Sequence, residues 1–489
     1  MKKSLLYIII VSVLFTSCSK FLQEDPKHLV TIENYYQTEA DAVSAVNSIY
    51  AYLNSISTGS TAGVYHSTFW VMAGLASDEL LNQQFFSPQY DQFATFTYTP
   101  FNSGLEEVWD RHYKTITLAN IAIERIPKIN MNPALRDRLV GEARFLRALM
   151  YFNLVRVFGE VPLLLNEVED LYPSKVSTAA IYTAIENDLN LAKDVLPKNY
   201  VIGSGKGRAT KGAAWALRAK MHLTKGEWKK ASDACEEVFS LNEYALWDDF
   251  GDVFKLANRN GKEAVFSVGF GDANGALIFW EAGQFQVRLL PPALSVEGVV
   301  NAQGWQVPTL HLYNSYESGD RRREVTFISE VNNNGTIETI RPHIQKYWDR
   351  AAEPKGNESS NDFPVIRYAD VLLTYAEANN ELDNAGVAHD YINKIRKRAR
   401  FNGVTELPVL ADLSGLNKDQ MREAILKERY LEFVAEGHRF FDLVRTGQLA
   451  TKVPLAKPGV NPAPRHVYFP LPLRETDINP NLKQNDLYK

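Results

Sequence analysis

Along most of the chain, apolar residues return every three or four positions, the spacing that lines one face of an α-helix. From Thr38 the sequence TEAD sets a capping threonine three residues ahead of an acid. The stripe Val43, Val46, Ile49, Tyr50 and Leu53 follows, so a helix is predicted there. A second is expected from about Leu105 to Ile126, with Val108, Trp109, Ile116, Ala119 and Ile123 inward. Asn132-Pro133 pairs an N-cap with a proline at the first helical position, and Leu139, Ala143, Leu146 and Met150 share one face until Gly159 stops the helix.

Between Thr210 and Leu241 two helices are expected to meet at Lys225-Gly226, with small or apolar residues at Ala219, Ala231, Cys235 and Val238. The same spacing recurs at Ala376, Ala388, Ile392 and Ile395, and in part at Ile185, Leu189 and Ala192 ahead of Pro197. The pattern is similar to that of tetratricopeptide repeats, where small residues let paired helices approach. Cys235 is then a core thiol, since nothing around it supplies the electropositive setting of a reactive one.

Two stretches break this periodicity. Residues 56–104 are rich in Ser, Gly, Gln and aromatics, and 243–366 mix Gly, Asn and Pro with short β-like runs at Ala264 to Gly269 and Glu324 to Val331. The expected fold is therefore mostly α: a tetratricopeptide-like helical-repeat scaffold with a loop-rich irregular region and short β-strands. Insertions on such scaffolds gather on one face and carry the variable function, so the ligand is expected there.

At 489 residues, 45% hydrophobic and 23% charged, the chain can bury a large core, which excludes a disordered protein. A net charge of −5 leaves no broad positive field for a polyanion such as nucleic acid. The 8 Trp, 23 Tyr and 25 Phe are generous, and flat rings that are not needed in a core are the usual platforms for sugars and bases.

Lys2 and Lys3, an apolar run from Leu5 to Phe15, and then Thr16, Ser17 and Cys18 have the layout of a secretory signal. The small residues before Cys18 resemble a bacterial lipobox, which implies cleavage of residues 1–17 and an acylated (palmitate-bearing) Cys18. The alternative is an ordinary cleaved signal with an incidental cysteine. The remainder, 18–489, is expected to form a single body tethered to a membrane, because no later segment reaches the roughly 18 apolar residues that spanning requires.

The residues offer little to an enzyme. Glu428, Glu432 and Glu436 stand four apart on one expected helical face, with Arg429, Arg439, Asp442 and Arg445 nearby. A glycosidase pair must flank a bond across a cleft, and interleaved arginines would keep these carboxylates ionised, so an ion-pair network is expected. Arg144, Arg147, Arg367, Asp370, Glu377 and Glu381 are read likewise as partnered or at a solvated edge. No P-loop register fits Gly203 to Arg208, no GxSxG elbow occurs, and the nine histidines form no HExxH. No cofactor is expected; Asp and Asn in 243–366 lack EF-hand spacing, so no calcium is assigned. Pro470, Pro472, Asn479, Pro480 and Asn481 read as an extended strap packing back on the helices.

Several stretches together resemble the SusD/RagB family of outer-membrane nutrient-binding lipoproteins: CSKFLQEDP from Cys18, EARFLRALMYF from Glu142, FGEVPL from Phe158 and GRATKGAA from Gly207. Further on come RYADVLLTYAEANNEL from Arg367, ERYLEFVAEGHRFFDLVR from Glu428 and YFPLPLRETDINPNLKQN from Tyr468. The resemblance implies a non-catalytic, lipid-anchored cell-surface protein that captures oligosaccharides and sits as a lid on a SusC-like TonB-dependent transporter of the outer membrane. A peptide-capturing member of the same architecture, and a tetratricopeptide adaptor with no small ligand, are the alternatives.

Sugar capture needs exposed ring faces flanked by amide, carboxylate or guanidinium side chains. Asn82, Gln83, Gln84, Phe85, Phe86, Gln89, Tyr90 and Asp91 have that mixture, and so do Phe279, Trp280, Gln284, Phe285, Gln286, Arg288 and Trp305. The candidate contacts are Phe85, Phe86, Tyr90, Asp91, Phe279, Trp280, Gln284, Arg288 and Trp305. For each ring the competing role is core packing, most of all for Phe85, because phenylalanine is so often buried. Tyr347 and Trp348 are expected to be structural, and Ser77-Asp78-Glu79 to begin the binding region or tie it down.

Overall fold

The computed structural model describes residues 35–54, 63–167, 170–200, 205–271, 283–353 and 360–488. Cys18, Phe279 and Trp280 lie outside them.

The chain is mostly helical. Its long helices are α1 (Glu39–Asn54), α2 (Ser103–Arg125), α3 (Pro133–Phe158), α4 (Thr178–Val195), α5 (Lys211–Lys225), α6 (Trp228–Ser240), α7 (Tyr368–Glu381), α8 (Ala385–Ala399) and α9 (Lys418–Glu432). Their ends are set by local chemistry. The Asp41 carboxylate accepts the Thr38 N–H at 2.7 Å while the Thr38 hydroxyl accepts the Asp41 N–H at 3.2 Å. Asn132 caps α3, accepting from the Leu135 N–H at 3.2 Å, and Gly159 ends it with φ +76°. Thr210 caps α5, whose end is Gly226 in the left-handed region, where a side chain would be strained.

Each helix packs on the next, α1 to α2 to α3 and onward to α6, as the repeat pattern requires. α6 then meets α7 although the whole irregular region lies between them in sequence. Small residues make the approach: Ala219, Ala231, Cys235, Ala376 and Ala388 are all buried, and the Cys235 thiol donates to the Val371 carbonyl at 3.5 Å. Cys235 is thus a core thiol, and burial pushes its pKa well up.

Strands are few. Among the described residues they form four two-stranded antiparallel sheets: Leu80–Asn82 with Gln306–Pro308, Val161–Pro162 with Lys175–Val176, Ala264–Val268 with Phe363–Arg367, and the hairpin Phe327–Asn333 with Thr336–Ile344. The strand expected from Glu324 begins only at Phe327, because Asp320 caps a short helix, Arg321–Thr326, by accepting from the Arg322 N–H. The C-terminal strap packs back as expected, donating from Phe469 N–H to Val157 and from Leu473 N–H to Pro100, but it also holds a helical turn, Leu473–Ile478. Among the described residues no helix is long and apolar enough to cross a membrane.

The acidic triplet is a buried ion-pair network. Arg322 reaches Glu428 at 2.6 Å, Arg367 reaches Glu263 at 2.6 Å, Glu432 at 2.9 Å and Glu436 at 2.8 Å, and Lys346 reaches Glu436 at 2.6 Å. One point differs from expectation: α9 ends at Glu432, Ala435 turns the chain with φ +57°, and Glu436 sits beyond the helix. Burial alone would raise the Glu432 carboxyl, but Arg398, Arg367 and Arg322 hold it far below the usual carboxylate range. Neither Glu428 nor Glu432 faces a cleft, and both are buried among guanidinium groups.

Candidate functional site

The two aromatic-rich segments meet. Ser77-Asp78-Glu79 lies wholly inside and anchors the first of them. Arg439 donates to both Asp78 carboxylate oxygens at 2.8 Å, and the Glu79 carboxylate accepts the Ala435 N–H at 2.6 Å. The Thr309 hydroxyl donates to the Asp78 carbonyl at 2.8 Å and its N–H to the Glu79 carbonyl at 2.9 Å, which brings the second segment alongside. From there Leu80↔Pro308, Leu81↔Val307 and Asn82↔Gln306 pair, and the Gln83 N–H donates to the Trp305 carbonyl at 2.7 Å.

This pairing raises an aromatic rim. Phe85 is 89% and Phe86 71% exposed, and Phe86 meets the partly exposed Trp305 edge to face with ring centroids 5.6 Å apart. Phe85, a candidate contact with core packing as its competing role, is therefore not a core residue. It sits on the turn between the Leu80–Asn82 strand and the short helix Pro88–Thr95. Exposed rings of this kind are unusual unless something covers them.

Beneath the rim lie the polar residues. Tyr90 and Arg288, expected as open contacts, are instead buried, because the Pro88–Thr95 and Phe285–Leu289 helices turn them inward. The Arg288 guanidinium stacks 5.1 Å from the Trp305 ring centre and 5.3 Å from that of Tyr90. Its hydrogen bonds run to the Gln84 and Gln306 side-chain oxygens and the Tyr90 hydroxyl, each at 3.4 Å. Asp91 is exposed and accepts from the Asn82 amide at 2.7 Å, and Asn82 in turn accepts from Gln306 at 3.3 Å. Half-buried Gln284 contributes its carbonyl, which accepts the Arg288 N–H at 3.0 Å and starts that helical turn.

Phe85, Phe86, Tyr90, Asp91, Gln284, Arg288 and Trp305 therefore belong to one locale. Gln306, Thr68 and Glu107 belong to it too and carry no sequence signal, since their role comes only from the pairing of distant segments: the Thr68 hydroxyl donates to Glu107 at 2.9 Å and lies 3.3 Å from the Tyr90 hydroxyl. Tyr347 and Trp348 are buried, the Tyr347 hydroxyl donating to the Ala435 carbonyl at 3.0 Å, as expected of structural residues. Among the described residues no group of His, Cys, Asp and Glu is placed to hold a metal ion.

A helical-repeat body with an aromatic rim built by paired insertions defines a class of binding scaffold, and the comparisons place it. Residues 303–488 match the SusD family, and residues 21–223 match a SusD-like family described as starch-binding associating with outer membrane. Two SusD-like proteins of Formosa agariphila are 30% and 29% identical over 99% of this chain, covering 99% and 98% of their own lengths. The starch-binding protein SusD of Bacteroides thetaiotaomicron is 25% identical, over 88% of this chain and 86% of that one. The chain belongs to the SusD-like family.

Solved structures agree. A laminarin-binding SusD-like protein superposes with a TM-score of 0.77 at 25% identity, covering 92% of this chain and 100% of its own. The surface glycan-binding protein A of Bacteroides thetaiotaomicron, solved with laminarihexaose, shares the fold at 0.76 and 21% identity, over 92% of this chain and 100% of that one.

Proposed function

We propose that this protein is a non-catalytic, surface-exposed lipoprotein that captures an oligosaccharide at the Phe86–Trp305 rim and passes it to a SusC-like TonB-dependent transporter of the outer membrane. Cys18 carries the lipid anchor in this reading. The observation that carries it is the exposed edge-to-face pair, Phe86 against Trp305, held at 5.6 Å by strand pairing and bordered by Asn82 and Asp91. A pyranose offers an apolar C–H face to such a ring and hydroxyls to such a border. The starch-, laminarin- and glycan-binding relatives support the same ligand class. A shallow, wet site of this kind binds weakly enough to release its ligand onward.

The test is affinity electrophoresis and calorimetry of the mature chain against a polysaccharide panel, beside Trp305→Ala and Phe86→Ala. Binding lost in variants that still melt like the parent supports the reading. Peptides bound while every glycan is ignored would overturn it.

A further inference from the structure

Nine arginines are buried among the described residues. Seven of them, Arg147, Arg322, Arg367, Arg396, Arg398, Arg429 and Arg439, have a carboxylate within 3.4 Å. The other two, Arg111 and Arg288, make no ion pair, and the Nε of each lacks any hydrogen-bond partner. Both act on the Glu107 carboxylate. Arg288 lies against the Trp305 ring, and Arg111, on α2, is one turn along from Glu107, whose carboxylate feels both guanidinium groups.

Other buried polar atoms in these segments also lack hydrogen-bond partners. His66 is buried with neither ring nitrogen hydrogen-bonded, and the buried Gln286 carboxamide oxygen is unpartnered. Burial, with Arg288 as the second cause, pushes the His66 imidazole down to about 3, so it adds no charge but leaves a donor and an acceptor unused. Glu107 is raised by burial and is occupied by the Thr68 hydroxyl, while Asp110 acts on Arg111 from outside the rim. A guanidinium out of water with only neutral acceptors at 3.4 Å is a costly arrangement.

We propose that the ligand taken at this rim is acidic: an oligosaccharide carrying a carboxylate or a sulfate ester, drawn to the charge of Arg288 beneath Trp305, with Arg111 adding to it from the far side of Glu107. This rests on the glycan reading above and names its class. Asn82 and the Phe86–Trp305 pair bind the ring and its hydroxyls; the two arginines select for the anion. A buried charge without a counter-ion is poorly screened, so its field reaches the ring that covers it.

The experiment compares oligogalacturonate, a sulfated galactan and neutral laminarin on the full mature chain, at low and high salt, with Arg288→Gln, Arg288→Lys and Arg111→Gln. The expected result is binding of a carboxylated or sulfated probe at least tenfold tighter than laminarin, weakened several-fold by salt. Arg288→Gln and Arg111→Gln each erase about tenfold of that preference, Arg288→Lys retains most of it, and neither glutamine variant melts lower than the parent. Which acidic probe binds tells carboxylate from sulfate. Laminarin bound as well as both acidic probes, with no salt dependence, overturns this inference and leaves the glycan reading standing. An acidic preference untouched in well-folded Arg288→Gln and Arg111→Gln also overturns it. No glycan bound by the folded chain sinks both. Should a variant fail to fold, the panel and salt dependence of the unaltered chain decide.

Discussion

The Phe86 ring stands edge-on to Trp305, 5.6 Å away, although the two residues lie in separate insertions. What joins them is backbone: the Gln83 N–H on the Trp305 carbonyl and the three-residue pairing behind it. The rim is thus no firmer than that short ladder and the Ser77–Glu79 anchor beneath it.

Removing the ring should therefore affect ligand and not fold. Trp305→Ala is expected to lower glycan affinity at least tenfold while moving the unfolding free energy by less than about 1.5 kcal/mol, since the side chain is only partly buried. Phe86→Ala should cost binding several-fold, the about 0.5–1.5 kcal/mol of one aromatic contact. Calorimetry with parallel thermal melts checks both.

Cutting the anchor should affect both. Arg439→Met leaves the Asp78 carboxylate buried without its two 2.8 Å donors, and about 3–5 kcal/mol of stability is expected to go with it. Urea titration measures this, and a double variant with Asp78→Leu should recover a large part. Because Asp78 precedes the strand that carries the rim, glycan binding should weaken in Arg439→Met at temperatures where it remains folded.

The turn after α9 should tolerate no side chain at Gly437. Its φ is +72°, and an added Cβ would stand 3.3 Å from Trp70 Cβ. Gly437→Ala is expected to destabilise by about 1–2 kcal/mol, read from the denaturant midpoint.

Stability should rise with pH in two separate limbs. Burial would raise Glu432 and Asp442, but their arginine partners depress both, so the stabilisation is complete above the unfolded carboxylate pKa near 4 and is lost as pH falls below it. Lys457 acts at higher pH. Buried with its ammonium on the Leu75 carbonyl, it is pushed down to about 7 from 10.5. The unfolded chain then holds the extra proton between those values, so stability rises with pH from about 7 to 10.5. Melting temperature against pH should show both limbs, and Lys457→Met should flatten the alkaline one.

The helices, their caps and the small-residue spacing were legible in the sequence by itself, because a cap and a 3.6-residue stripe are settled by neighbours three or four positions away. The ion-pair character of Glu428, Glu432 and Glu436 was legible for the same reason, since arginines interleave them. Their actual partners were not: Arg322, Lys346 and Arg398 come from elsewhere in the chain. Composition also located both halves of the rim, since rings interleaved with amides are a local property. What only the tertiary structure decided is which face of each short helix turns inward. Tyr90 and Arg288 went beneath the platform and Phe85 stayed outside, because burial there is set by the Leu80–Asn82 and Gln306–Pro308 pairing and by Thr309 on Asp78. Contacts over more than two hundred residues of chain leave no period in the sequence; they exist only once the scaffold has brought the insertions together.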